Sequence, residues 1–379
     1  MRFEFATAQR ILFGSGVVRE VVPAARALGK RVMLVTGKTT ERAAWLAEEL
    51  DCLGFSVEGE PTVELVREGA EVARAARIEV VIGFGGGSAI DAGKAIAAIA
   101  ANSGEPLDYL EVVGRGQALE RAPLPFLAVP TTAGTGSEVT RNAVLGSPEH
   151  KVKASLRSPL MLPRLAVVDP DLTLDLPPHA TAATGLDALT QLIEPFVSAR
   201  ATPLTDALCL DGVERAAEWL RRAWAEGSNA TARREMALAS LYGGLALANA
   251  GLGVAHGFAA PIGGEWPAPH GAVCAAILPH GMAANIQALR ERGGETDRLD
   301  RYRVIARTLT GRFEAAPEDG VEWVRALCQE MRIPPLSTYG VTAADAPAIV
   351  QKARQASSMK ANPIVLTEEE LTGVLLAAL

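Results

Sequence analysis

Residues 79–88 read EVVIGFGGGS, a near-continuous apolar run ending in three glycines and a serine. An apolar run of this kind is buried on both faces, which fits a strand of a parallel sheet with helices above and below it. The next residues, 89–101, are small and apolar with polar punctuation and predict a helix. Strand, glycine turn and helix in that order leave helix N–H groups and the positive end of the helix dipole at the turn, where a phosphate binds. The same pattern also serves as a tight strand–helix turn with no ligand. Its spacing departs from the G-x-G-x-x-G fingerprint of the common dinucleotide folds.

The rest of the first half repeats the alternation. Residues 31–36 (RVMLVT), 55–58, 125–130 (PFLAVP) and 165–169 (LAVVD) read as strands, and 40–50 and 66–76 as helices. Such strands separated by helices predict a parallel sheet covered on both faces. Pro177-Pro178 reads as a breaker pair. Beyond it the chain is nearly all helix: 181–198, 203–224, 230–251 and several more. Asn362-Pro363 breaks it again, and Thr367 with Glu370 is a capping-box signal for a last short helix. A chain of 379 residues is too long for one ordinary core. The expected division is an α/β nucleotide-binding domain over 1–177 and an all-α domain over 178–379.

Charge and cysteine usage exclude some classes. The net charge of −7 argues against a nucleic-acid partner, which needs a basic face. The four cysteines are far apart with no CxxC pair, which fits a reducing compartment and argues against a cysteine-ligated zinc knuckle. The amino terminus lacks the apolar core of a signal peptide. The longest apolar stretches are interrupted by Gly, Asn or Pro, so no membrane span is expected. The expectation is a soluble, cytoplasmic protein.

A second polar loop follows the strand at 125–130. Residues 130–140 read PTTAGTGSEVT, with hydroxyls at Thr131, Thr132, Thr135 and Ser137 spaced by Gly134 and Gly136. A hydroxyl-rich turn alone is commonly a solvated loop. Two such turns after parallel strands are better explained by one extended ligand at the carboxyl end of the sheet.

GGGSAID together with PTTAGTGSEVT resembles the iron-containing alcohol dehydrogenase family, and the likeness runs from the FG-x-G of residues 13–16 to NPIVLTEEEL near the end. The family shares its architecture with glycerol dehydrogenases and dehydroquinate synthases. The resemblance implies hydride transfer between NAD(P)(H) and a small alcohol or aldehyde. It further implies a metal between an α/β and a helical domain, and a homodimer or larger homo-oligomer. By the same likeness Gly85, Gly86, Gly87 and Ser88 would hold the pyrophosphate, with Asp91 in the same motif. Thr131, Thr132 and Thr135 would line the nicotinamide end, with Ser137 beside them, and Lys153 would contact the ribose. With seven lysines against thirty arginines, the pair Lys151 and Lys153 stands out and supports that contact, with a solvated strand edge as the lesser alternative. Relatives that prefer NAD carry an acid after the first strand, where it repels a 2′-phosphate. Here that loop is Thr36-Gly37-Lys38-Thr39-Thr40. Gly37 and Thr39 in an acid-free loop, with Lys38 and Arg42 nearby, are expected to accept NADP as well as NAD.

Asp187 is an acid inside an apolar helical stretch, and a buried carboxylate is costly unless paired or metal-bound. Gln191 lies four residues on, on the same helix face. His256 (GVAHG) and His270 (PHGAVC) are fourteen residues apart. The family places its metal on an Asp, a His four residues later, and two further histidines fourteen apart. Asp187, His256 and His270 match three of those positions, and Gln191 stands at the fourth in place of histidine. A carboxamide oxygen is a poorer donor to Fe²⁺ or Zn²⁺ than imidazole. Two readings stay open: a divalent metal held by Asp187, His256 and His270 with the Gln191 oxygen as a weaker fourth ligand, or a metal-independent reductase of the maleylacetate type in which Gln191 hydrogen-bonds the substrate. A third, non-enzymatic reading is a nucleotide-binding module that has lost activity. Ala260 replaces a histidine that many relatives carry four residues after the first metal histidine. His280 is expected to cap a helix or support the ligands. Phe258, Trp266 and Leu189 suit pocket walls and core packing equally.

Overall fold

Among the described residues six strands pair into one all-parallel sheet, in the order Ile11–Phe13, Leu165–Val168, Phe126–Pro130, Val80–Gly85, Val32–Gly37 and Leu53–Val57. In chain order the N-terminal elements of this computed structural model are β1 (Ile11–Phe13), α1 (Val21–Leu28), β2 (Val32–Gly37), α2 (Ala44–Leu50), β3 (Leu53–Val57), α3 (Val63–Ala75), β4 (Val80–Gly85), α4 (Gly87–Ala101), α5 (Pro106–Tyr109), β5 (Phe126–Pro130), β6 (Asn142–Ser147), β7 (Val152–Arg157) and β8 (Leu165–Val168). The structure describes residues 2–293 and 297–379. β2, β4, β5 and β8 are buried along nearly their whole length. That is the condition for a sheet with apolar residues on both faces, and one cluster lies on each side of it.

Register decides where the loops emerge. Gly85 at the end of β4 pairs with Pro130 at the end of β5, and Thr36 of β2 pairs with Phe84 of β4. The segments that follow Gly37, Gly85 and Pro130 therefore leave three adjacent strands at one carboxyl edge. This is where open α/β sheets bind ligands.

The chain forms two compact units. One is Ala6–Leu174, and the other comprises Asp175–Leu379 with the described amino-terminal residues up to Phe5. The second unit is helical: α6 (Pro178–Val197), α7 (Pro203–Ala225), α8 (Ala230–Ala250), α9 (Val254–Glu265), α10 (His270–Arg292), α11 (Arg298–Thr310), α12 (Pro317–Glu330), α13 (Ala346–Gln355) and α14 (Glu368–Ala377). Helices α6, α7 and α8 pack on one another, and α10 packs against α6, α9 and α12. By length and composition α10 is long and apolar enough to cross a membrane, as is the pair α8 and α9, bent by 96° at their junction. In α10, 78% of that apolar window is buried inside the protein, as in a core helix.

Several local expectations change. Pro177-Pro178 opens a helix instead of breaking one: Pro177 is the N-cap and Pro178 the first helical residue of α6, where a missing N–H costs nothing. Strand β1, helix α1 and the antiparallel hairpin β6–β7 were not expected from sequence. In β6 burial alternates residue by residue, with Ala143 and Leu145 inward, a period too short-lived to stand out in a six-residue segment. The last helix does carry its capping box, with Thr367 and Glu370 each accepting from the other's backbone N–H.

Candidate functional site

In the α/β unit, α4 starts at Gly87 and has no side-chain cap. Its first N–H groups are thus available to a ligand. The turn packs against the loop after β5. A Cβ added at Gly87 would stand 2.8 Å from Thr135 Cγ2, so a larger residue there pushes the two loops apart. Thr131 is buried and its N–H donates to the Gly85 carbonyl at 2.9 Å.

A buried lysine, unremarked in the sequence, ties these loops together. Lys94 Nζ, on α4, donates to the Ser137 carbonyl and to Thr140 Oγ1, each at 2.9 Å, and to the Asn142 carbonyl. It also lies 3.3 Å from Asp91 Oδ1. Asp91 in turn accepts from the Ser137 hydroxyl and, at 2.9 Å, from the Val144 N–H. Asp91 and Ser137, both expected at the cofactor, are thus engaged with the protein's own frame. Lys153 is neither a solvated edge residue nor a free cation: its side chain is buried and Nζ lies 3.1 Å from Glu60 Oε1. Gly37 ends β2 with open space beside it, and Lys38 and Thr39 are exposed. Arg42, considered for a 2′-phosphate, donates to the Leu172 carbonyl.

In the helical unit, Asp187, His256 and His270 come together. Asp187 Oδ1 lies 3.4 Å from His256 Nε2 and 3.8 Å from His270 Nε2. The two imidazole centroids are 5.4 Å apart. Asp187 and Gln191 stand one turn apart on α6, and Gln191 Nε2 donates to Asp187 Oδ2 at 3.0 Å. His270 is the first residue of α10. The glycine after it lets α10 approach α6 closely, since a Cβ added at Gly271 would meet the Ala183 carbonyl oxygen at 2.4 Å.

Glu194, two turns after Asp187 on α6, organises His256. Its Oε1 accepts from the Ala255 N–H at 2.7 Å, and its Oε2 lies 2.7 Å from His256 Nδ1. Asn362 Oδ1 accepts from the neighbouring Val254 N–H at 3.2 Å. Two side chains from elsewhere thus serve N–H groups at the start of α9, which needs partners because no helical turn precedes it. A carboxylate there is also favoured by the helix dipole. With Nδ1 occupied by Glu194, His256 offers Nε2 to the cluster.

Buried polar atoms normally find partners. Asp187 Oδ1, Gln191 Oε1 and His256 Nε2 do not, although all three are shielded from solvent. The electrostatics points the same way. Burial works against the charged form of Asp187, but the imidazoles of His270 and His256 outweigh it and hold the carboxyl below its ordinary range. Burial likewise opposes a charged His256, yet Cys274, Asp187 and Glu194 outweigh it and lift its pKa well above the usual value. The cluster is built to hold positive charge at its centre. A divalent cation fits that demand, and a carboxylate and two imidazoles suit Zn²⁺ or Fe²⁺.

Residues 8–170 match the model of the family described as iron-containing alcohol dehydrogenase, and 181–379 match the C-terminal model of the Fe-containing alcohol dehydrogenase family. The chain belongs to the iron-containing alcohol dehydrogenase family. It is similar to alcohol dehydrogenase 4 of Saccharomyces cerevisiae, 37% identical over 318 residues that cover 83% of this chain and 80% of the relative. The crystal structure of a 1,3-propanediol oxidoreductase superposes with a TM-score of 0.91 at 31% identity, covering 100% of both chains. A sulfoacetaldehyde reductase from Bifidobacterium kashiwanohense, solved with NAD+, gives a TM-score of 0.85 at 29% identity, covering 100% of this chain and 99% of that one. The chain is accordingly an oxidoreductase of the alcohol dehydrogenase type.

Within this family site, Ala260 on α9 places a methyl group one turn after His256. His280 lies inside α10, ten residues from its start, and caps neither end of that helix. Phe258 and Leu189 are fully buried, Phe258 in the core of the helical unit with Trp266 packed against the same cluster, so the packing reading holds for those two. Sequence reasoning missed Glu194, Lys94 and Cys274. The signals were present in two of them: Glu194 is seven residues after Asp187 and Cys274 four after His270, both helical repeats that return to the same face.

Proposed function

We propose that the chain interconverts small aldehydes and primary alcohols with NADP or NAD, using a divalent metal held by Asp187, His256 and His270. The observation that carries the metal is the pair of buried atoms Asp187 Oδ1 and His256 Nε2, which have no hydrogen-bond partner and lie 3.4 Å apart. Without a metal, Asp187 Oδ1 and His256 Nε2 would have only each other, at 3.4 Å, which is a poor pairing for buried polar groups. The nicotinamide supplies the hydride, and the metal, when bound, polarises the substrate oxygen.

The chain's own residues prepare that chemistry. Glu194 fixes His256 with Nε2 toward the cluster. Gln191 anchors Asp187 through Oδ2, leaving Oδ1 and its own Oε1 free. The uncapped start of α4 with Gly85, Gly86, Gly87 and Ser88 receives the pyrophosphate, and Thr131, Thr132 and Thr135 line the nicotinamide end. Asp91 and Ser137 hold that loop in place, and Lys153 reaches a ribose only by exchanging Glu60 for it. Gly37 and Thr39 receive the adenosine ribose, and the absence of an acid there favours tolerance of a 2′-phosphate. The same reading takes the chain as a cytoplasmic homo-oligomer with domains over 1–177 and 178–379.

Elemental analysis of protein purified without chelator tests the metal, with about one equivalent per chain expected and less than about a tenth counting against it. Comparing kcat/KM for NADPH and NADH on a short aldehyde tests the loop at Gly37. A strong NADH preference removes the 2′-phosphate reading and leaves the metal reading intact.

A further inference from the structure

The family's fourth metal position is glutamine here, yet the cluster contains a fourth strong donor. Cys274 lies one turn after His270 on α10 and is fully buried. Its Sγ is 3.7 Å from His270 Nε2. Donor atoms of Asp187, His256, His270 and Cys274 all lie within 4.8 Å of one another.

These separations can be compared with a tetrahedral ion. With metal–nitrogen and metal–oxygen bonds of about 2.05 Å and metal–sulfur of about 2.3 Å, the donor–donor edges come to about 3.3 Å for N and O and about 3.6 Å for S and N. The observed edges are 3.4 Å for His256 to Asp187, 3.8 Å for His270 to Asp187 and 3.7 Å for Cys274 to His270. All three agree to within about half an ångström of that tetrahedron. A side chain placed for packing alone has no reason to meet that condition. The orphaned Asp187 Oδ1 and His256 Nε2 are the independent sign that something belongs at the centre.

We infer that Cys274 is a metal ligand in this chain, its thiolate supplying the donor that a histidine at position 191 would otherwise provide; with four protein donors the ion would take the substrate oxygen only by expanding to five-coordinate. Gln191 is then released from coordination. Its amide N–H stays on Asp187, and its oxygen is left to accept a hydrogen bond from a bound alcohol. On coordination the thiol loses its proton to solvent and forms a metal–sulfur bond, with no change in oxidation state. A soft thiolate shifts the site toward Zn²⁺ and Co²⁺ and away from hard cations such as Mg²⁺. The inference rests on the metal reading proposed above.

Two measurements on the full chain separate the two claims. Cobalt(II) is added to metal-stripped protein and the absorption spectrum recorded. Visible ligand-field bands report binding by any donors, and an intense near-ultraviolet sulfur-to-cobalt band reports the thiolate. Both are expected in the native chain, and Cys274→Ser should lose the second while keeping the first. X-ray absorption of the native zinc form, which needs no variant, should contain one sulfur at about 2.3 Å. Cys274→Ser should weaken zinc binding by at least about tenfold, the lower end of what loss of an outer partner alone costs. Ligand-field bands without a charge-transfer band, or a zinc shell of nitrogen and oxygen only, would overturn Cys274 as a ligand and leave the metal reading standing. No cobalt binding at all would overturn both.

Discussion

Two buried polar clusters, one in each compact unit, make a useful contrast. Around Lys94 every strong group is matched: the ammonium has three oxygen acceptors and a carboxylate, and Asp91 has two donors besides. Around Asp187 three buried atoms are left over. The first cluster is closed and complete as it stands, and its task is to hold a loop beside the glycine turn. The second is open and asks for a ligand. Burial and charge alone do not distinguish them, since both contain buried titratable groups. What differs is whether the hydrogen-bond partners run out.

The contrast predicts opposite responses to deletion. Asp187→Ala should cost activity far more than stability. Loss of an electrophile worth several kcal/mol corresponds to a fall of at least about a thousandfold in kcat/KM. Metal content should drop with it, while NADPH binding, read by fluorescence, should persist. A variant that kept its metal would break the contrast. Lys94→Met should do the reverse. It takes the ammonium away from Asp91 and from the Ser137 and Asn142 carbonyls, and removing one partner of a buried charged pair costs up to about 3–5 kcal/mol. Chemical denaturation should register that loss, and metal content per folded chain should stay unchanged.

A third substitution probes the boundary between closed and open. Glu194 is fully engaged itself, yet it orients an atom that is not. In Glu194→Gln one carboxylate oxygen becomes an amide N–H₂, which cannot accept from either the Ala255 N–H or His256 Nδ1. Metal affinity should fall by about 10–100-fold, the range found for partners that orient ligating histidines. The competition is best read with a chromophoric chelator. An unchanged affinity would mean that His256 is held by packing alone.

The closed and open clusters also differed in how legible they were. The parallel sheet was readable because its strands are apolar throughout, and the helical half because its apolar stretches run too long for strands between their Pro and Gly breaks. Asp187 was readable as an acid out of place in apolar surroundings, and His256 and His270 only through the spacing of the family they resemble. Lys94 sits in an equally apolar stretch, GSAIDAGKAIAAIAA, and the same argument applies to it. Its partners were not readable: two are backbone carbonyls about 45 residues away, brought close only when α4 packs beside the loop after β5. Cys274 was obscured for another reason. Cysteine is commonly an inert buried residue, and only the distances to three other donors give this one a role. The hairpin β6–β7 was hidden because its alternation lasts six residues and its turn is a short 3-10 segment at Pro148–His150.

The smallest effect concerns the closed cluster's outer member. Glu138 follows Ser137, is buried, and its pKa is pushed up to about 7 from 4.5. Burial is the main cause, opposed by a backbone N–H and by Lys94. Between about pH 4.5 and about 7 the folded chain keeps this proton while the unfolded chain releases it. The folded state thus binds more protons, and this group's contribution to stability declines as pH rises through that window, by no more than about 1.4 kcal/mol per pH unit. Glu138→Gln cannot titrate and should flatten that part of the stability curve, measured by denaturant midpoints at closely spaced pH values. A slope identical to that of the native chain would mean that Lys94 holds Glu138 ionised, and the two would then form a buried ion pair within the closed network.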